Sequence, residues 1–337
     1  MTTRSNRKIL APFVSLLIAF IIGGVVIALI GKNPVEAYVA IFRGAFTDWG
    51  FTLFQATSLI FSALAVAIAF HCGLFNIGAN GQLMMGALAA AYVSLRFAGL
   101  PGVILLPTVV FAAICVGALW GFVPGALKAT RGTNEVVVTI MMNYIAISVV
   151  SYALTYSMKD PASWIAQSAM LPESLWLPSI TLGADPMIVV AVIMSVLSYV
   201  FLWRTRMGYE LRAVGFNQMA SSYAGIKVRR AIALTMCISG AIAALSYYNY
   251  LFAYQYRAVS DVIVGTNVGF DAITAALLAR NNPLLVIVSS LFLAALYSGG
   301  LTAQFELGVP SSFYLFLEGV IIFSVVMFST VLGGKDD

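Results

Sequence analysis

The chain runs to 337 residues, of which 61% are hydrophobic and only 9% charged. A water-soluble domain carries about 25% charged residues, so this composition excludes an ordinary soluble globule and predicts an all-α polytopic membrane protein. The net charge of +5 does not point to a nucleic-acid polymer, because the basic residues collect between apolar runs, where membrane topology accounts for them.

A helix that crosses a bilayer needs roughly 20 apolar residues, and the chain has room for about ten. The first predicted span, 9–31, follows a basic start with Arg4, Arg7 and Lys8. Its apolar core is too long for a signal peptide and no small-x-small site follows, so it is expected to stay as a membrane anchor. Further spans are predicted near 52–71, 81–98, 103–123, 135–157, 187–203, 231–254, 269–280, 284–300 and 312–332. The 269–280 run is too short to cross alone. Gly117, Gly121 and Gly125, spaced by four in the fourth span, predict close helix packing and no ligand. Cys72, Cys115 and Cys237 lie far apart and form neither a disulfide framework nor a metal motif.

Between the second and third spans stands "HCGLFNIGANGQ" (71–82), with the chain's only histidine, three glycines and two asparagines. Each interior Gly costs about 1 kcal/mol relative to Ala, and Asn competes for backbone hydrogen bonds, so one unbroken helix is costly here. Two readings stand. One is a tight cytoplasmic turn with Asn80 capping the third span. The other is a helix break whose backbone, with the Asn76, Asn80 and Gln82 side chains, faces a polar pathway. His71 has no second histidine to share a metal, so an interfacial histidine with its hydrogen bonds met is the simpler reading.

The charges between spans set the topology. With the N-terminus inside, 124–134 (Lys128, Arg131) and 204–230 (Arg204, Arg206, Arg212, Lys227, Arg229, Arg230 against Glu210) fall in the cytoplasm, as do Arg280 and Lys335. The loop 158–186 falls outside, with Lys159 against Asp160, Glu173 and Asp185 and with Trp164 and Trp176. This is the positive-inside pattern of an N-in, C-in chain.

Ten spans divide into two five-helix halves, roughly 9–157 and 187–332, within one transmembrane domain over 1–337. A five-span unit repeated in tandem must invert. "NIGAN" (76–80) after the second span is echoed by "NVGFD" (267–271) after the seventh, and both run into Ala-rich helix. An inverted repeat would bring the two interrupted helices together near the midplane. The second break would offer Asn267 and Asp271, with Thr266 and Thr274 nearby.

Acids inside spans are functional candidates by default, and Asp271 and Glu318 are the two that matter. Asp271 also suits an N-terminal helix position, and Glu318 also suits an outer interface. Neither belongs to the chain of acids, His and Lys that a proton-driven carrier would want. The 27-residue stretch 204–230 is long for a bare connection; "YELRAVG" and "NQMASSYAGI" read as short helices broken at Gly215 and Gly225. It is either a basic segment on anionic lipid or a docking element whose Tyr209, Leu211, Val214, Met219 and Tyr223 offer apolar contacts. No G-x-x-x-x-G-K-[ST] loop occurs, so ATP is not bound by that device, and no His/Cys/Asp/Glu cluster suggests catalysis or a metal.

Four segments together resemble a known family: "GLFNIGANGQLMMGALAAA" (73–91), "GTNEVVVTIMMNYIA" (132–146), "GYELRAVGFNQMASSYAGIKV" (208–228) and "GFDAITAALLARNNPL" (269–284). They look like the signatures of ABC-importer permeases serving branched-chain amino acids, ribose and other simple sugars, and nucleosides. The form "FNIG-x-x-GQ", with "TNEV" and "MNYIA", is most similar to the nucleoside and simple-sugar branch. An acidic "GGIDLSVG"-like first motif, usual in ribose permeases, is missing.

The resemblance implies a multi-pass protein of the bacterial cell membrane that is a transport subunit and not an enzyme. It implies a separate cytoplasmic ATPase that carries ATP and Mg, docked on 204–230 through Tyr209, Leu211, Arg212, Val214, Asn217, Tyr223 and Ile226. It also implies an extracellular binding lipoprotein and a second permease chain, in a heterodimer or a homodimer. The family's motif positions carry over onto Asn76, Gly78, Gln82, Asn134, Glu135, Asn143, Asp271 and Asn282, of which Asn134 and Glu135 also suit a helix start. A nucleoside path would run past Phe75, Asn76, Asn80, Gln82, Asn143, Asn267, Phe270 and Asp271, with Phe75 or Phe270 stacking on the base. A ribose-like sugar or a branched-chain amino acid is the alternative cargo, and an ion-coupled secondary transporter the more distant one.

Overall fold

The computed structural model describes residues 2–180, 183–310 and 312–333, so Lys335 lies outside the described residues. Among these the chain is helical, with isolated β-bridges at Lys159–Ser168 and Gln167–Val259 in place of any sheet. In chain order the helices are α1 (Thr2–Leu29), α2 (Pro34–Thr47), α3 (Trp49–His71), α4 (Ala79–Arg96), α5 (Gly102–Arg131), α6 (Glu135–Tyr152) and α7 (Met187–Arg204). They continue with α8 (Arg206–Phe216), α9 (Gln218–Tyr223), α10 (Val228–Ala243), α11 (Ser260–Val264), α12 (Val268–Leu278), α13 (Pro283–Leu307) and α14 (Ser312–Gly333). Six helical segments are long and apolar enough to cross a bilayer: Trp49–His71, Gly102–Arg131, Glu135–Ser157, Met187–Arg204, Ser260–Leu278 and Pro283–Leu307. A seventh follows if Leu16–Leu29 and Pro34–Thr47, bent by 119°, count as one span. This is a multi-pass membrane protein.

Two differences from the sequence reading have clear causes. Residues 34–47, which lie between the first two predicted spans, form α2: Asn33 accepts from the Val35 N–H at 3.0 Å, Pro34 opens the helix and Glu36 sits in its first turn. At 14 residues with Glu36 and Arg43 it is too short and too charged for a span, yet Ala37, Ala40, Ile41, Gly44 and Ala45 are buried. That small-residue face lies on α13, where a Cβ on Gly44 would meet Thr302 and a Cβ on Gly299 would meet the Ile41 carbonyl. The second difference is in 231–254. α10 ends at Ala243, turns follow, and a π-turn covers Tyr250–Tyr254. The helix stops where Ser246 and Asn249 are drawn to α3. Ser62 and Ser246 hydroxyls are 2.7 Å apart, Ser58 donates to Asn249 Oδ1 at 2.9 Å, and Asn249 Nδ2 donates to the Phe54 carbonyl at 2.9 Å.

α3 is the centre of the fold. Every residue from Ala56 to Ala69 is buried, as expected of a helix apolar on all sides and packed on all sides. α3 packs on α13 as α10 packs on α5. The α5–α10 seam is made by the predicted glycine stripe: a Cβ on Gly117 would stand 2.5 Å from the Gly240 carbonyl and one on Gly121 2.3 Å from the Met236 carbonyl. Basic segments gather at the His71 end of α3, where Ala129 and the α8 residues Leu211 and Val214 join one apolar cluster with Ala69, Cys72 and Leu74. The loop before α7 lies at the opposite end, where Gly183 touches Gly50.

Candidate functional site

α3 stops in a tight cap. The Gly73 N–H donates to the Phe70 carbonyl at 2.9 Å and the Leu74 N–H to Ala69 at 3.1 Å, with Gly73 at φ +72°, a conformation that glycine adopts without strain. The chain then runs non-helically to Gly78, and side chains take over the backbone's unmet groups. Asn76, fully buried, accepts from the Gly78 N–H at 3.0 Å and donates to Gln82 Oε1 at 3.0 Å and Ser239 Oγ at 2.7 Å. Gln82 donates back to Asn76 Oδ1 at 3.3 Å. Asn143 of α6 accepts from the Gly81 N–H at 2.8 Å and donates to the Ile77 carbonyl at 3.0 Å. Asn76, Gln82 and Asn143 therefore spend their polarity on the protein itself, as buried polar groups must.

Asn80 reaches the other break. Its Nδ2 donates to the Thr266 carbonyl at 3.1 Å, and its Oδ1 accepts from the Gly269 N–H at 3.2 Å. The approach is so close that a Cβ on Gly269 would stand 2.4 Å from the Asn80 nitrogen. One amide side chain thus clasps both rims of the second break. Its height follows from α12: 11 residues rise about 16 Å. The far end of α12 is level with the end of α3, because His71 Nε2 meets the Asn281 carbonyl at 3.0 Å.

Beside the clasp, on the side away from His71, is a cavity of about 280 Å³. Its walls include Gln55 and Leu59 of α3, Thr266, Asn267 and Val268 of the second break, Tyr297 of α13, and Tyr314 and Glu318 of α14. Tyr247 and Tyr250 also face it, with rings stacked 4.4 Å apart at 7°. Tyr250 donates its hydroxyl to Gln55 Oε1, and Tyr247 donates to the Val262 carbonyl at 3.0 Å. Tyr297 and Tyr314 meet edge to face at 4.9 Å and 88°. Asp271 enters from the first turn of α12 beside Glu318, and Glu318 Oε1 accepts from the Thr274 hydroxyl at 2.6 Å.

The residues picked from sequence therefore separate. Asn267 and Asp271 line the cavity; Asn80 closes its edge; Asn76, Gln82 and Asn143 brace the first break behind it. Phe75 packs edge-on against Phe70 at 4.9 Å, and Phe270 is 43% exposed; neither lines the cavity. Asn134 caps α6 through the Val136 N–H at 2.9 Å, Glu135 pairs with Lys128 at 2.8 Å, and Asn282 caps α13 through Leu284 at 3.0 Å. Six other polar walls, Gln55, Tyr247, Tyr250, Asp261, Tyr297 and Tyr314, were not picked. "YYNY" (247–250), a polar cluster inside an apolar run, is the signal by which two of them could have been found. Glu318, weighed as an interfacial acid, is buried.

The 204–230 stretch folds as α8 and α9, divided at Asn217, whose side chain accepts from the Ala220 N–H at 2.9 Å. The expected division at Gly215 does not occur. Gly215 stays helical and serves close approach, since a Cβ there would stand 2.2 Å from the His71 carbonyl. Leu211 and Val214 turn inward and are buried, with Ile226 packed against the same cluster, so they anchor the segment rather than offer surface. Arg212 lies over the Trp203 ring at 5.5 Å, and Trp203 meets His71 edge-on at 5.1 Å. Tyr209, Phe216, Met219 and Tyr223 are exposed.

Comparison with known proteins finds relatives over nearly the whole chain. Residues 50–326 match the family described as branched-chain amino acid transport system, permease component. A guanosine ABC transporter permease protein of Bacillus subtilis (NupP) is 39% identical, over 94% of this chain and 92% of its own. A nucleoside ABC transporter permease protein of Lactococcus lactis (NupB) is 32% identical, over 96% and 92%. A glucose ABC transporter permease protein of Haloferax volcanii (TsgB13) is 34% identical, over 94% and 86%. No solved structure matches the chain.

Proposed function

The chain belongs to the family of permease components of branched-chain amino acid transport systems, and on that premise we propose that it is the membrane-spanning subunit of an ATP-driven importer of nucleosides. The observation that carries the cargo is similarity over almost the whole length to a guanosine and a nucleoside permease. Translocation is this subunit's work. ATP hydrolysis belongs to a cytoplasmic ATPase, and an extracellular lipoprotein delivers the nucleoside to a bacterial cell membrane where this chain pairs with a second permease chain. The ATPase docks on the exposed Tyr209, Phe216, Met219 and Tyr223, which form an apolar face in an otherwise basic segment.

The ten-span, inverted-repeat reading draws support from packing. α3 on α13 mirrors α10 on α5. Asn143 of α6 meets the start of α4 as Glu318 of α14 meets the first turns of α12, so the last helix of each half serves that half's interrupted helix. The basic α8–α9 segment and the Ala129 end of α5, next to Lys128, share the His71 end, which supports reading that end as cytoplasmic in an N-in, C-in chain.

Guanosine uptake by cells expressing this chain with its partner subunits tests the reading. Uptake is expected to stop on ATP depletion and to survive collapse of the proton gradient at constant ATP. The reverse pattern refutes an ATP-driven importer. The glucose relative makes a sugar the second cargo to test, and uptake of labelled glucose or ribose without guanosine would replace the nucleoside.

A further inference from the structure

The cavity beside the Asn80 clasp has walls of two kinds. On one side are tyrosine rings whose hydroxyls, for Tyr247 and Tyr250, are tied back to Val262 and Gln55. Tying back the hydroxyls fixes the rings and leaves flat aromatic surface as what they present. On the other side is a pair of acids, Asp271 and Glu318, which line the cavity together; a third, Asp261 of α11, lines it from an exposed position. Among the described residues neither acid of the pair forms an ion pair with a lysine or arginine. The Thr274 hydroxyl donates to Glu318 at 2.6 Å, and the two carboxyl groups also hydrogen-bond to each other, which requires one of them to carry the shared proton.

Buried acids without a cation need further hydrogen-bonding partners when charged. Hydroxyl groups fit this pair better than fixed N–H donors. An O–H rotates to donate to a carboxylate or to accept from a carboxylic acid, so it serves either protonation state. A ligand matched to both walls is a flat heteroaromatic ring joined to a ring bearing vicinal hydroxyls.

We propose that this cavity is the transit site of the permease, with the base of a nucleoside against the tyrosine faces, its ribose hydroxyls on Asp271 and Glu318, and the Asn80 clasp as the floor. The assignment rests on the nucleoside reading above and adds where and how the nucleoside is held. The floor follows from shared residues. Thr266, Asn267 and Val268 line the cavity, and the same turn is held by Asn80 at Thr266 and Gly269. The cavity is thus shut towards the His71 end by two hydrogen bonds between the two broken helices. Passage requires those bonds to part.

The test uses the full-length permease, co-purified with its partner permease but without lipoprotein, so that any selectivity belongs to the membrane subunits. Photolabelling with 8-azidoguanosine and peptide mapping are expected to place the label within 247–268 or 297–314, with guanosine protecting. 2′,3′-Dideoxyguanosine is expected to protect only at about tenfold higher concentration, the cost of leaving polar partners unmet. Glu318→Gln should shrink that difference to about twofold, and Tyr297→Leu should weaken both ligands alike. Label outside these segments, or equal protection by the dideoxy compound in the unmodified protein, overturns the assignment; both readouts stand even where a variant fails to fold. If cells import guanosine but the label maps elsewhere, this site falls and the transport reading stands. If neither import nor labelling is seen, the nucleoside reading falls with it.

Discussion

Replacing Asn80 by alanine would cut both hydrogen bonds that join the two helix breaks. The Thr266 carbonyl and the Gly269 N–H would lose their Asn80 partner while held in a buried turn. An orphaned buried polar group costs about 1–3 kcal/mol, so two cost about 2–6 kcal/mol. Thr266 borders the cavity, and water entering there would re-solvate its carbonyl, which places the expected loss at about 2–4 kcal/mol. At roughly 2 °C per kcal/mol for a chain of this size, purified Asn80→Ala permease should melt about 4–8 °C below the parent, read by thermal shift in detergent. The clasp also closes the cavity, so the same variant should admit guanosine into vesicles without ATP. A melting temperature within 1 °C of the parent, with no ATP-independent leak, would refute both the accounting and the role of the clasp.

Gly215→Ala forces a Cβ to within 2.2 Å of the His71 carbonyl. Backbone cannot yield as a side-chain tip can, so α8 should lift from α3 and co-purification of the ATPase should fall while the permease still reaches the membrane. The triple change of Tyr209, Phe216 and Tyr223 to alanine removes only exposed surface. Stability should change by less than about 0.5 kcal/mol per site, but ATPase capture should fail, and unaltered capture would move the docking face elsewhere. Asp185, in the loop before α7, is buried, and burial raises its carboxyl above the ordinary carboxylate value. A raised value means the folded state binds the proton more tightly, so this group's contribution is full at low pH and is lost as pH rises through its folded value. The window opens near the ordinary value of about 4 and extends upward. Asp185→Asn should flatten the fall in melting temperature across that window, and an unchanged slope would exclude Asp185 as its source.

The helices were legible because apolar runs of about 20 residues have few other fates. The glycine stripe at 117, 121 and 125 also announced its packing. α2 was not legible. Its cap, Asn33-Pro34 with Glu36, is written in the sequence, but the charged 14-residue segment looks like loop until α13 is seen against its small face. Within the site, Asn76, Asn80, Gln82 and Asn143 stood out as polar residues in an apolar chain. Their roles did not stand out. Asn76 closes onto Ser239, 163 positions away, while Asn80 closes onto Thr266 and Gly269, 186 and 189 positions away. Phe75 and Phe270 were attractive as neighbours in sequence of the two breaks, but one packs on Phe70 and the other faces outward.

Sequence alone determined the membrane class, the two helix breaks and the family, since each rests on residue types at short spacing. A polar side chain or glycine in an apolar run carries a local cost that can be read where it stands. What meets that cost is a different matter. Whether Asn80 caps its own helix or clasps another, whether Leu211 faces a partner or α3, and which tyrosines enclose one cavity depend on how distant helices come to rest together. Those contacts join segments nearly 190 residues apart, and only the packed structure selects them.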